Sequence, residues 1–278
     1  MKKLFDNSSF KCSKLITNTY STSFSLGIKL FHPNVQNSIY KIYAFVRYAD
    51  EIVDSFHKYD REELFIEFEK DYEKSLRRRI SLNPILNAFQ EVVLKFELQD
   101  LVQDFMRSMK ADLYESDYTS TLSYEEYIHG SANVVGLMCL KVFVEGDIEE
   151  YNRLKSYAMK LGSAFQKVNF LRDLKDDYEI LGRSYFPELS LGNLDADSKL
   201  KIIEDIEEDF HEAYKGIVLL PKKCKLGVYV AFTYYRILLR KLKKKNVNYI
   251  LNERTRISNP VKVSLLCTSY IRYKLNVL

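Results

Sequence analysis

A chain of 278 residues with 46% hydrophobic residues can bury a sizeable core, and nine Gly and five Pro leave little room for tight turns or flexible linkers. Its formal charge of +4 hides a division: residues 215–278 hold 15 Lys and Arg against one acid, Glu253, whereas the first 214 hold 27 basic and 37 acidic residues. A basic C-terminal quarter is most simply a solvated helix face, and it also suits an anionic membrane surface or a diphosphate; no nucleic-acid-binding signature accompanies it, so nucleic acid is not expected as a partner. The opening MKKLFDNSSFKCSK lacks the apolar run of a signal peptide, and no stretch approaches the ~20 apolar residues of a spanning helix. Cys12, Cys139, Cys224 and Cys267 have neither metal nor redox spacing. The expectation is a reduced, cytoplasmic protein with peripheral contact at the inner face of a membrane.

Apolar residues recur with a helical period almost throughout, which predicts helices near 9–27, 33–57, 61–77, 83–96, 98–116, 123–145, 148–179, 196–219, 224–245 and 262–275. Pro33 and Pro84 suit the first turns of the second and fourth. Ser123 with Glu126 reads as a capping box opening the sixth. Gly130, Gly136 and Gly162 mark places where helices approach closely or bend. Strand alternation is scarce, and neither G-x-G-x-x-G nor a P-loop occurs. The expected fold is all-α, a single domain over 1–278 whose helical bundle encloses a cavity.

Two helices carry an aspartate pair spaced DxxxD, Asp50 with Asp54 and Asp173 with Asp177. Residues four apart share a helix face. The first pair extends a stripe through Tyr43 and Arg47, and the second a stripe through Gln166 and Asn169. A single DxxxD is most simply a solvated helix face. Two of them, each with an Arg, an amide or a Tyr on the same face of an apolar helix, point to a cage of oxygen ligands. Magnesium suits such a cage, with manganese as a substitute, and usually brings phosphate oxygens with it.

The blocks STSFSLG, YAFVRYADEIVD, YIHGSANVVGLM, AFQKVNFLRDLKDD and GRSYFPE, in that order, resemble the squalene/phytoene synthase family of head-to-head prenyl transferases. The resemblance implies an isoprenoid synthase bundle around a deep apolar channel. It implies that Asp50, Asp54, Asp173 and Asp177 bind magnesium bridged to prenyl diphosphates, with Tyr43 and Arg47 at the diphosphate or the reacting centre. By the same resemblance Ser21, Ser23, Gln166, Asn169 and Arg172 contact substrate. Arg183 and Tyr185 belong to a flap, and Tyr234 and Arg254 are later diphosphate contacts. Ser21 and Ser23 also read as helix caps. Ala132 and Asn133 stand where a small, glycine-bearing turn is expected, and His129 where many relatives carry Tyr. Within the family the blocks are most like phytoene synthases, which need no NADPH. A squalene or dehydrosqualene synthase using farnesyl diphosphate is the alternative, the former with NADPH. A non-catalytic relative serving assembly or a membrane surface is the rival from another class.

Overall fold

The computed structural model describes residues 1–114, 120–179, 185–187 and 194–276, without the side chains of Thr121 and Tyr178. Among them there is no strand. The helices are α1 (Lys2–Tyr20), α2 (Thr22–Ile28), α3 (Pro33–Asp54), α4 (Arg61–Arg78), α5 (Pro84–Phe96), α6 (Gln99–Ala111), α7 (Thr121–Ile128), α8 (Val134–Phe143), α9 (Ile148–Glu179), α10 (Ala196–Leu219), α11 (Lys222–Lys244), α12 (Val247–Asn252) and α13 (Asn259–Lys274). A π-helical turn, His129–Asn133, joins α7 to α8.

Most boundaries follow local chemistry that the sequence displays. Pro33 and Pro84 occupy first turns, where a missing N–H costs nothing. Asn83 caps α5 by accepting from the amides of Ile85 and Leu86 at 3.0 and 3.4 Å. Three expectations are corrected. The expected helix 9–27 is two helices hinged at Ser21, whose extended backbone ends α1 and whose hydroxyl accepts from the Phe24 amide at 3.2 Å to start α2. The sixth helix starts earlier than Ser123, because Ser120 is the cap and accepts from the Ser123 amide at 3.0 Å. It is then interrupted by the π-turn.

α3 runs through the core. Phe45 is fully buried and stacks on Phe89 of α5 at 4.0 Å and Phe68 of α4 at 5.4 Å between centroids. α9, the longest helix, packs along α10 and against α8 and the π-turn, while α11 bridges α2, α9, α10 and α13. The three glycines allow the expected close approaches. A Cβ on Gly162 would meet the Ala132 carbonyl oxygen at 2.9 Å, on Gly136 the Ala158 carbonyl oxygen at 3.1 Å, and on Gly130 the Ser108 Cβ at 2.5 Å. α9 is thereby drawn against the π-turn, which fixes the α9 face opposite α3.

Candidate active site

The first stripe lies where α3 turns from the core toward solvent. Tyr43 stacks on Phe24 of α2 at 4.9 Å and lies within hydrogen-bonding reach of Ser21. Burial pushes its hydroxyl up to about 12, with Asp50 adding to the shift and Arg47 opposing it. Arg47 pairs with Glu51 one turn on and lies 4.6 Å from the Tyr20 ring centroid. Its Nε is buried and lacks a hydrogen-bond partner. A buried guanidinium N–H without an acceptor is costly, and it is placed to meet an anion. Asp50 is desolvated. Burial first, and then the charge of Asp54, push its carboxyl up to about 8 against the opposing pull of Arg47. Asp112, at the end of α6, adds to the same effect.

The second stripe lies on α9, where Gln166, Asn169, Asp173 and Asp177 are all partly buried. Asp173 is held by two guanidiniums. Arg172 donates from Nε at 2.7 Å, and Arg254, in the segment before α13, from Nε at 2.8 Å and Nη2 at 3.2 Å. Burial alone would lower the Arg172 guanidinium; the hydrogen bond and charge of Asp173 outweigh it and raise it. Arg254 therefore engages the aspartate motif itself, and Asp176 lies 3.9 Å from its Nη1.

Tyr235 of α11, a residue the sequence reading passed over in favour of its neighbour, contacts the second stripe and lies within electrostatic range of Tyr43 in the first. The Tyr235 hydroxyl donates to Asn169 Oδ1 at 3.2 Å, and its ring stacks on Phe165 at 4.0 Å. It is electrostatically coupled to Tyr43 on one side and to Arg172 and Asp173 on the other. Tyr234 packs edge-on against Tyr235 at 5.6 Å, with the Lys262 ammonium 5.9 Å from its ring. The helical period does not separate the two: both are partly buried, Tyr235 in register with the buried Phe232 and Leu239, and Tyr234 with the buried Val230 and Leu238.

Asp112 is the other residue that was missed. It is buried and accepts from the Tyr127 hydroxyl at 3.0 Å. Tyr127 in turn stacks on Tyr185 at 5.2 Å, and Tyr185 on Phe170 of α9 at 4.0 Å. Tyr185 thus docks into an aromatic cluster behind the second motif. Arg183 lies outside the described residues. Ser23 is partly buried in the first turn of α2.

Beside the α9 stripe, between α7, the π-turn, α9 and α10, lies a cavity of about 750 Å³ lined by Tyr124, His129, Asn133, Met159, Lys167 and Phe186 among others. Asn133 is buried and its Oδ1 has no hydrogen-bond partner. His129 lies in the π-turn, a feature that often marks functional segments.

Among the described residues no group of three or more His, Cys, Asp or Glu side chains lies close enough to hold a metal ion by itself. Magnesium seldom asks for that: it takes one or two carboxylates and completes its shell with water and substrate phosphates. Asp50 and Asp54 share one helix face and fit such a ligand set, because a divalent cation beside them would offset the burial and the Asp54 charge that disfavour ionisation of Asp50.

With this geometry in place, comparison with known proteins is decisive for the family. A squalene/phytoene synthase profile matches residues 17–261. The chain belongs to the squalene/phytoene synthase family. Its members are prenyltransferase-type enzymes acting on prenyl diphosphates, so this chain is an enzyme of that type. It is 26% identical over 271 residues to a 15-cis-phytoene synthase of Enterobacter agglomerans, covering 88% of this chain and 90% of that one. It is also 26% identical over 207 residues to a 4,4'-diapophytoene synthase of Staphylococcus haemolyticus, covering 70% and 66%. In fold it superposes on a ligand-bound dehydrosqualene synthase with a TM-score of 0.83 at 24% identity, covering 97% and 98%. On a squalene synthase of Alicyclobacillus acidocaldarius the TM-score is 0.74 at 18% identity, covering 86% and 94%.

Proposed function

We propose that this enzyme is a phytoene synthase, joining two geranylgeranyl diphosphates head to head with magnesium as its cofactor and without NADPH. The observation that carries the reading is a pair of aspartate stripes each set beside arginine, with the buried Arg47 Nε lacking an acceptor in the first and Asp173 bracketed by Arg172 and Arg254 in the second. Asp50 and Asp54, and Asp173 and Asp177, would hold magnesium, which when bound neutralises diphosphate charge and makes it a better leaving group. Arg47 meets a substrate oxygen. Arg172 and Arg254 exchange part of their hold on Asp173 for the departing diphosphate.

Loss of diphosphate from one substrate leaves an allylic cation. The double bond next to the diphosphate of the second substrate attacks its first carbon. Proton loss then closes a cyclopropylcarbinyl diphosphate. A second ionisation, ring rearrangement and proton loss give the hydrocarbon, with two inorganic diphosphates and two protons released in total. Burial of Tyr43 and Tyr235 keeps both phenols neutral, so their rings face the cation without offering a phenolate to trap it. Substrates and product of this kind dissolve in membrane, so the reading includes peripheral contact with an anionic bilayer at the cytoplasmic face.

The 4,4'-diapophytoene synthase relative, at the same identity as the phytoene synthase, favours farnesyl diphosphate as a second reading. Incubation of purified enzyme with magnesium and either diphosphate, with and without NADPH, followed by mass spectrometry of the extracted lipid, separates them. A forty-carbon product supports the first reading and a thirty-carbon product the second. No hydrocarbon from either substrate would contradict both.

A further inference from the structure

α13 is apolar on both sides. Leu265 is buried against Leu226 and Val230 of α11. On the opposite side Val263, Cys267, Tyr270 and Ile271 recur at i, i+4, i+7 and i+8, and all are exposed, Val263 by 59%, Tyr270 by 48% and Ile271 by 54%. A helix with two apolar faces is expected where both are covered.

The surroundings indicate what covers the outer face. α11 carries eight Lys and Arg and α13 three, with no acid in either. Lys274 is exposed at the end of the apolar stripe, 5.6 Å from the Tyr270 ring centroid. Arg272 reaches the Tyr229 hydroxyl at 3.5 Å, and Tyr273 donates to the Lys222 carbonyl at 3.4 Å, so the basic start of α11 adjoins the basic end of α13. Aromatic and aliphatic side chains amid cations, without acids, match the boundary between acyl chains and anionic headgroups. The densest lysine run is a poorer candidate. Lys241 donates to the Arg256 carbonyl at 3.2 Å, Lys243 pairs with Glu207 at 2.9 Å, and Lys245 lies 3.7 Å from the Tyr249 ring centroid.

α13 also borders the site. The segment leading into it carries Arg254 to Asp173, and Lys262 in its first turn donates to Thr22 Oγ1 of α2 at 3.2 Å. We infer that the outer face of α13, formed by Val263, Cys267, Tyr270 and Ile271 with Lys274, is the surface that docks this enzyme on an anionic bilayer, beside its active site.

The test is flotation with phosphatidylcholine vesicles, with and without phosphatidylglycerol. It needs no substrate, so its outcome is independent of the proposed chemistry. The parent enzyme floats with the anionic vesicles, less so as salt is raised. Val263→Ser, Tyr270→Ser and Ile271→Ser together weaken partitioning by about tenfold or more, with melting temperature and turnover of detergent-dispersed substrate preserved. Lys274→Gln alone weakens it by about fivefold. A polarity-sensitive dye on Cys267 of the otherwise unaltered chain shifts to the blue when anionic vesicles are added. Three results overturn the inference. The parent stays unbound at low salt, or the triple variant floats like the parent, or the parent is a dimer in vesicle-free buffer that the triple variant dissolves, in which case a second copy covers the face.

Discussion

Asp50 and Asp173 open sequence motifs of the same form, yet their surroundings are opposite. Asp50 is partly buried and desolvated, with the charges of Asp54 and Asp112 acting on it, and Arg47, which opposes them, is paired with Glu51. Asp173 is clasped by Arg172 and Arg254. The α3 motif has too much negative charge for its burial, whereas the α9 motif is already compensated. A DxxxD spacing fixes which way two carboxylates point, but neighbours on other helices decide whether they need a cation. On the proposed reading, a divalent ion would relieve the α3 motif most, whereas the α9 motif would have to loosen its arginines, leaving them available to a leaving group.

The largest expected effect follows directly. Asp50→Asn and Asp173→Asn each lower turnover by about 100-fold or more, because each weakens the carboxylate set that would hold the magnesium neutralising the departing diphosphate. Steady-state kinetics at saturating magnesium measure this, and near-parental turnover in either variant would break the comparison at its root.

A control away from the motifs comes next in size. Asp209 of α10 is buried and accepts from Lys160 at 2.6 Å, Lys167 at 2.7 Å and Ser163 at 2.8 Å. Burial alone would raise its carboxyl, but the two lysines and the serine outweigh this and hold it below the usual range. A depressed acid stabilises the fold above the ordinary carboxylate range, and that contribution fades as pH falls through the depressed value. Asp209→Asn should cost about 2 kcal/mol at neutral pH by removing a charge-assisted acceptor from Lys160 and from the buried Lys167, which keeps Asp205 as its remaining carboxylate. Urea melts would show the cost, and the difference between parent and variant should shrink as the pH is lowered below about 4.

The two motif variants then part company in stability. Asp50→Asn puts a neutral isostere in place of a carboxyl that desolvation and Asp54 already hold mostly protonated at neutral pH, and leaves the melting temperature unchanged or raises it. Asp173→Asn strips a carboxylate from two guanidiniums, one of them partly exposed, and costs about 1–2 kcal/mol. Equal destabilisation by the two substitutions would show that the contrast between the motifs is not energetic.

Much of this contrast was invisible in the chain, for identifiable reasons. Helical period alone located α3, α9 and both stripes, since apolar residues flank them on either side. The start of α1 was missed because residues 2–8 are exposed or only partly buried, so no buried apolar face marks them. The seam that follows, Ser9, Ser13 and Thr17, bonds back to carbonyls of the same helix at 3.1, 3.3 and 2.9 Å and adds no apolar signature. Asp112 lies at the end of α6 and reads as a solvated acid; its contact with Tyr127, 15 residues on, and its charge beside Asp50 of another helix are not visible in the sequence. Tyr234 and Tyr235 are adjacent, and each is in register with buried residues of α11.

Tyr235→Phe is the smallest of the expected effects and the one that sharpens the geometry. It removes a single hydrogen bond, to Asn169, worth about 1 kcal/mol, and keeps the ring on Phe165. A loss of about fivefold in kcat/KM with an unchanged melting temperature is expected, whereas Tyr234→Phe should leave both unchanged. The reverse order would return the role to Tyr234.

The most direct measurement is the rate of diphosphate release from geranylgeranyl or farnesyl diphosphate as magnesium is titrated into chelator-stripped enzyme, parent against Asp50→Asn. The expected result is no release without the metal, release that saturates with magnesium in the parent, and release in the variant that stays near zero at every concentration. Release at the parental rate in chelator, or full recovery of the Asp50→Asn variant by magnesium, would contradict a cation site on α3.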